Sequence, residues 1–427
     1  MDYTGFNMSR IKNANRASVL YLLNSRKSMS RKDIADSLGL TPAAVSKICA
    51  ELIAEGAVSE CGLSDGAGAG RKKIILSLNS SKFAVLAVGI DAGGFYCGIC
   101  TLGGEEITGE YTALPKDTEP EDFLRAVGEN CRRLIKNNPS DGAKLVGMGV
   151  GIVGGVDGGS GKTTGSYGVW RPGINIKKIL EDETGVPVCV ENNVKAFALA
   201  SLIFDREHSA DNILFVKWGP GVGSAIVING EVLNGTDSGS SEIGHYIVDP
   251  NGEKCRCGRR GCLETEVSAH AVIKRIGAVY SKETTPMLFK ATDGDAEKID
   301  IKQILLSAKS DGAVKVELER CADSLAKAVT NAATVIAPDS VVAFDYSAIC
   351  LRTIYLTFSR SGARSIIPAS AGGTSDIPRS TASTASSDLP PQRQKSFSLK
   401  NKLFVRYNIY KSKILPVGRI FCVSYIS

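Results

Sequence analysis

The sequence predicts an α/β protein that opens with a winged helix-turn-helix. Two observations carry this expectation. Residues 1–80 hold capped helices joined by a glycine turn, followed by two alternating strands around a glycine-rich loop. Residues 81–344 then alternate apolar runs, glycine turns and amphipathic stretches.

In the first region, Ala17 to Leu23 is an apolar helical stretch. Ser30 can cap a second helix, with Asp33 three residues on, and Gly39 ends it. Thr41 caps a third helix and Pro42 fills its first turn, where a missing N–H costs little. Val45, Ile48 and Leu52 form one apolar stripe. Ala57 to Glu60 and Lys73 to Leu78 alternate like strands around the loop 66–70. Ser46 and Lys47 lie opposite the stripe, and Arg71 and Lys72 sit at the base of the loop. Together with Thr41 these are the candidate DNA contacts, placed to meet groove edges and phosphates.

In the second region, Phe83 to Ile90, Leu145 to Val153, Val186 to Val190 and Ile213 to Val216 read as strands, and Val314 to Ile336 as a long amphipathic helix. Residues 366–395 are rich in Ser, Thr, Pro and Ala, and no glutamate follows Glu319. Residues 345–427 therefore read as an atypical tail, disordered or translated from a shifted frame.

A chain of 427 residues suggests two or three domains at ~150 residues each. Hydrophobic residues make up 43% and charged residues 22%, as in ordinary globular material. No run of ~18 uncharged apolar residues occurs and the N-terminus lacks an apolar core, so neither a membrane span nor a secretory leader is expected. Twelve cysteines in such a chain favour reduced thiols or a metal site, and a cytoplasmic location. The net charge of +6 divides unevenly. Residues 1–80 carry 11 Lys and Arg against 7 Asp and Glu, residues 81–344 carry 28 against 35, and residues 345–427 carry 12 against 3. The mild total thus hides a basic N-terminal unit, an acidic body and a basic tail.

His245, Cys255, Cys257 and Cys262 follow the spacing H-x9-C-x-C-x4-C. Three thiolates and an imidazole are a natural tetrahedral zinc set, and four protein ligands leave no open position, so the expected ion is structural Zn2+. Gly258 and Gly261 permit the tight turns of a short knuckle, and Arg256, Arg259 and Arg260 would offset the thiolate charge.

The segments Ser241-Glu-Ile-Gly-His245 and Cys255-Arg-Cys-Gly-Arg-Arg-Gly-Cys-Leu-Glu264 resemble the signature motifs of the ROK family of bacterial sugar kinases and sugar-responsive repressors. The resemblance runs from about residue 10 to 344, and its N-terminal winged helix is that of the repressor branch, of the xylose and N-acetylglucosamine repressor type. It implies a two-lobed sugar kinase/actin-like (RNase H-like) fold with sugar in the cleft between lobes. The expected divisions are 1–80 for DNA binding, 81–190 for the first lobe, 191–344 for the second lobe with the zinc loop, and 345–427 for the tail. Carried over position by position, Glu242, His245, Glu264 and Asn192 match sugar contacts. Gly154 and Gly155 match the loop that sugar approaches, although Val153 stands where the family usually has proline. Asn193 stands where the kinases have their aspartate base. An amide cannot take a proton but can still hydrogen-bond sugar.

Two further kinase features are missing. Asp91-Ala-Gly-Gly-Phe95 carries a phenyl ring where the kinases have a threonine, expected to crowd the phosphate path. Gly219-Pro-Gly-Val-Gly223 carries Pro220 in place of another hydroxyl. Gly159-Ser-Gly-Lys-Thr-Thr164 looks like the end of a phosphate loop, but Val156 stands where its first glycine is required. The sequence therefore predicts a sugar-responsive repressor without kinase activity. Its expected partners are operator DNA and a small sugar effector, in a homodimer or larger homo-oligomer, with no membrane. An ATP-dependent sugar kinase and a non-functional truncated remnant are the alternatives.

Overall fold

A computed structural model describes residues 8–63, 73–91, 93–115, 118–137, 142–165, 170–204, 211–235, 239–345 and 366–368. The chain divides into two compact units. Of the described residues, the first holds those up to 211 and those within 224–242, and the second holds 212–223 and those from 243 onward.

The first unit begins with α1 (Met8–Arg26), β1 (Ser28–Ser30), α2 (Arg31–Leu38), α3 (Pro42–Ala54), β2 (Val58–Leu63) and β3 (Ile74–Leu78). The three strands form an antiparallel sheet in the order β1-β3-β2. Local chemistry sets the boundaries. Ser30 Oγ accepts the Asp33 amide at 3.2 Å and donates to the Asp33 carboxylate at 2.7 Å, which fixes the start of α2. Gly39, at φ 63°, ends it in the left-handed conformation that a side chain resists. Thr41 Oγ1 accepts the Ala44 amide at 3.2 Å, with Pro42 in the first turn of α3. Val45, Ile48, Cys49 and Leu52 of α3 are buried against Leu23, Ile34 and Leu76.

A five-stranded sheet follows in the order β10-β7-β4-β5-β6. Its members are β4 (Phe83–Asp91), β5 (Gly94–Thr101), β6 (Glu106–Ala113), β7 (Lys144–Ile152) and β10 (Val188–Asn192). β4, β5 and β6 form an antiparallel meander, and β7 and β10 run parallel to β4. Between them come α4 (Pro120–Lys136), the short pair β8 (Val156–Asp157) and β9 (Lys162–Thr163), and α5 (Ile176–Thr184). β4 is buried on both faces. Leu86, Val88 and Ile90 join a core with Leu124 of α4 and Leu180 of α5, while Val85 and Ala87 face a smaller cluster. That cluster includes Ala196 of α6 (Asn193–Phe204), the helix that follows β10. Most of β12 (Val222–Ile228), which comes after β11 (Ile213–Trp218), also belongs to this unit, hairpinned to β13 (Glu231–Val232).

In the second unit, β11 pairs in parallel with β14 (Ser340–Asp345), reached through α7 (Leu263–Val267), α8 (Ala269–Val279), α9 (Pro286–Ala291), α10 (Ile301–Ser307) and α11 (Gly312–Ile336). The strand and long-helix positions read from the sequence recur with shifts of one or two residues. Within the expected tail, Asp345 ends β14, and Ile366–Pro368 form β15, parallel to β14. The remainder of that tail and the glycine-rich loop 66–70 lie outside the described residues.

Because Ser30 supplies both a cap and a partner for Asp33, Ser30→Ala is expected to weaken α2 by about 1–2 kcal/mol. Hydrogen exchange of the amides in 31–38 reads this as faster opening, with β4 and α4 unaffected.

Candidate functional site

The strongest site lies in the second unit, in the loop that leads into α7. His245, Cys255, Cys257 and Cys262 come together there, their ligand atoms all within 4.8 Å of one another. His245 Nδ1 is 3.6 Å from Cys255 Sγ, and Cys257 Sγ is 3.5 Å from Cys262 Sγ. A tetrahedral ion with Zn–S of about 2.3 Å and Zn–N of about 2.0 Å spaces its ligands by about 3.5–3.8 Å. The donor set therefore fits such an ion in both chemistry and spacing. His245, Cys255 and Cys262 are buried, and Cys257 is half-buried.

The loop is shaped by close backbone passages. Cys255 N–H donates to the Arg259 carbonyl at 2.8 Å, and Gly261 N–H to the Glu253 carbonyl at 2.9 Å. Gly261 has φ 63°, and a Cβ there would sit 1.4 Å from the Asp249 carbonyl oxygen, so no other residue fits. Burial lowers the His245 pKa and so favours the neutral, ligating imidazole. Desolvation raises Cys255 and pushes Cys262 up to about 12. Thiols held this way ionise readily only against a cation.

The arginines also make contacts that the sequence did not suggest. Arg256 pairs with Glu264 Oε1 at 3.5 Å, while Arg259 and Arg260 donate to the carbonyls of His245 and Gly252. They brace the loop, and against the raising effect of burial the backbone amide and charge of Arg259 help hold the Cys257 thiol below its usual pKa. Glu264 is also occupied, since its Oε2 accepts the Val222 amide at 3.2 Å. A Cβ on Gly221 would lie 2.8 Å from that oxygen, so the loop with Pro220 is moulded around the Glu264 carboxylate. The Val222 contact is not readable from spacing, because it joins segments distant in sequence, while the Arg256 pair closes within the loop itself.

The first unit carries the other candidates. Asn192 Nδ2 donates to the Gly154 carbonyl at 3.0 Å, and its Oδ1 accepts the amides of Val194 and Lys195 at 2.9 and 3.3 Å. It thus caps α6 while holding the Gly154 turn, whose φ is 99°. The Asn-before-helix pattern could have signalled this cap. A Cβ on Gly155 would lie 2.5 Å from Thr164 Oγ1. Asn193 opens α6 and is half-buried. Glu242 is half-buried and follows Ser241, a non-glycine residue at φ 69°.

Phe95 is a correction. Its side chain is fully buried in the sheet core, edge-to-face with Phe123 at 5.7 Å. Strand alternation points it inward, so it crowds no phosphate path, although the hydroxyl is still absent. Asp91 Oδ1 accepts the Gly93 amide at 2.8 Å and the Tyr111 hydroxyl at 3.2 Å. Gly159 to Thr164 belong to the β8–β9 hairpin, whose turn is set by Asp157 accepting the Gly159 and Ser160 amides at 3.2 Å. No helix follows in the way a phosphate loop requires.

Of the candidate DNA contacts, Ser46 and Lys47 are exposed on the outer face of α3. Thr41 is exposed, with its hydroxyl engaged as the α3 cap. Arg71 and Lys72 lie outside the described residues. Lys73, beside them, is ion-paired to Asp33 at 2.9 Å.

Comparison with known proteins places this geometry. A model of the ROK family matches residues 87–344. The xylose repressor of Bacillus subtilis (strain 168) is 31% identical over 268 residues, covering 62% of this chain and 68% of its own. The glucokinase of Thermotoga maritima is 29% identical over 260 residues, covering 60% of this chain and 80% of its own. Among solved structures, a ROK family transcriptional regulator, homologue of the Escherichia coli MLC protein, superposes with a TM-score of 0.75 at 20% identity, covering 97% of each chain. The mixed α/β sheets are thus those of the ROK fold.

Metal analysis of the purified protein is expected to return a single divalent ion per chain, and Cys257→Ser to retain less than about a tenth of it. Cys255 and Cys262 must each release a proton to ligate, so affinity is expected to fall as pH falls. Competition with a chromogenic chelator at several pH values checks this; a pH-independent affinity contradicts the thiolate set.

Proposed function

Since the chain belongs to the ROK family, we propose that it is a sugar-responsive transcription regulator, acting as a repressor. The observation that carries this reading is the N-terminal module. Three helices and an antiparallel β1-β3-β2 sheet precede the family-matching region, and α3 presents Ser46 and Lys47 outward from a fully buried stripe. In this reading the module is a winged helix-turn-helix. α3 enters the major groove of operator DNA, with Thr41, Ser46 and Lys47 at its surface and Arg71 and Lys72 in the wing. A homodimer or larger homo-oligomer suits an operator with two half-sites.

The effector is a pentose, hexose or N-acetylhexosamine. Its proposed contacts are Gly154, Gly155, Asn192, Asn193, Glu242, His245 and Glu264. Vicinal hydroxyls suit paired acceptors on carboxylates and amides. Asn192 and Glu264 already hold Gly154, α6 and the 219–223 loop, so they sense a ligand through groups that also set loop position. Zinc bound by the Cys3His set supplies a structural anchor for His245 and for the start of α7. A cytoplasmic location suits this role, and among the described residues no helix is long and apolar enough to cross a membrane.

The glucokinase relative and the retained Asp91 favour sugar phosphorylation as the second reading. Against it stand Asn193 in place of a proton acceptor, the hydroxyl lost at Phe95 and Pro220 in the glycine loop. The protein is expected to show no ATP-dependent phosphorylation of glucose, xylose or N-acetylglucosamine above a no-enzyme control. Turnover that Asp91→Ala abolishes would establish the kinase instead.

Operator affinity, followed by fluorescence anisotropy against salt, tests the DNA surface. Lys47→Ala is expected to weaken binding several-fold and to reduce the slope of log affinity against log salt by about one. An unchanged slope removes Lys47 from the interface.

A further inference from the structure

α6 is held at both ends by side chains from outside the helix. At its N-terminus, Asn192 Oδ1 accepts the Val194 and Lys195 amides while Nδ2 ties the same residue to the Gly154 carbonyl. These are among the amide groups that a helix start leaves without internal partners. At its C-terminus, the Leu202 carbonyl is one of the last four, which likewise lack partners within the helix. It accepts a hydrogen bond of 3.0 Å from the hydroxyl of Tyr21, and Tyr21 belongs to α1 of the N-terminal module. Burial raises the pKa of the Tyr21 hydroxyl, so it stays protonated and remains a donor.

A second contact, apolar and independent of the first, joins the same elements. Ala196 of α6 lies in the cluster of Val85 and Ala87, against which Leu78 and Phe83 pack. Leu78 and Phe83 also pack against the core formed by Leu23, Ile34 and Leu52. The helix therefore touches the N-terminal module through a directional hydrogen bond near one end and through shared core residues near the other.

We propose that α6 is the coupling element of the regulator, and that Tyr21 is the positioning residue through which a ligand at Asn192 and Gly154 acts on α1. The inference rests on the sugar-responsive reading above. Sugar that competes for the Asn192 amide, or moves the Gly154 turn, disturbs the start of α6. A 12-residue helix carries such a displacement along its axis as a body, over about 18 Å. At the far end the displacement changes the fit of the Leu202 carbonyl to Tyr21, and with it the position of α1, which packs against α2 and α3. Sugar and DNA are then coupled reciprocally, each biasing the affinity for the other.

Tyr21→Phe removes the hydroxyl and keeps the ring. The probes are D-xylose, D-glucose and N-acetylglucosamine, with a 30-base-pair duplex selected from a random pool by binding to the wild-type protein. Sugar affinity of the variant is expected to stay within about twofold of wild type. The change in duplex affinity that the sugar causes is expected to shrink at least about threefold toward no change, as loss of one neutral hydrogen bond predicts. Hydrogen exchange gives a second readout without sugar. Duplex binding is expected to slow exchange in residues 193–204 of the wild type, and to do so less in Tyr21→Phe. A variant that binds sugar and duplex and keeps the full wild-type response overturns the proposal. If none of the three sugars alters duplex affinity of the wild type, the sugar-responsive reading fails. The coupling role of α6 is then decided by exchange alone, and duplex binding that leaves the 193–204 amides unchanged overturns it too.

Discussion

Burial of β4 on both faces is the constraint from which the first unit takes its form. Leu86, Val88 and Ile90 are each within 3% of complete burial on one side, and Val85 and Ala87 are fully buried on the other. Each large side chain removed from water contributes about 1.5–3 kcal/mol, so neither face can be opened without loss comparable to a domain's whole stability margin. The strand must therefore be covered twice. α4 and α5 cover one face, and Ala196 of α6 with Leu78 and Phe83 covers the other. Leu78 closes β3 of the N-terminal module and Phe83 opens β4, so one apolar cluster serves two structural elements. The module is not a bead on a free linker; its last strand runs into the core of the unit that follows.

In the second unit the loop before α7 is organised by polar contacts. The loop from His245 to Cys262 has too few apolar residues to define a conformation by packing. Its shape comes instead from backbone hydrogen bonds, from Gly261 passing under the Asp249 carbonyl, and from the convergence of three sulfurs and an imidazole. The same loop delivers Cys262 to the start of α7 and so places Glu264, whose carboxylate holds the Val222 amide. An ion bound to the four donors would therefore fix more than its ligands, since the same loop positions a carboxylate that reaches a different loop.

What was legible in the sequence follows from the range of each interaction. The caps at Ser30 and Thr41, the helix stop at Gly39 and the stripe Val45, Ile48 and Leu52 are local, and they stand as read. The metal set was legible because its four residues fall within eighteen positions and their donor types admit few other uses. Phe95 was misread because alternation along a strand gives two faces without saying which is the core. The Val222–Glu264 bond was invisible, since it depends on where distant segments meet, and the Arg256–Glu264 pair depends on how the loop folds back on itself. β15 lay hidden in a stretch whose composition argued for disorder, because three residues are too few to alter an average.

Asn192 shows why assigning one role per residue is too simple. Resemblance marks it as a sugar contact, while geometry marks it as a helix cap and a tether for Gly154. The two roles are one device. An amide that a ligand alone could use would bind sugar and report nothing. An amide already committed to a helix start and a glycine turn has one N–H left for a hydroxyl, so a ligand bound there bears on the group that holds both. The loss of the adjacent proton acceptor to Asn193 removes a reason for the site to hold a reacting geometry. It leaves intact the hydrogen-bonding groups at Asn192 that hold the start of α6. A sensor needs a ligand-dependent difference in internal contacts and no chemical step. In the proposed reading the residues around Asn192 supply the first, and Asn193 cannot serve as the base for the second.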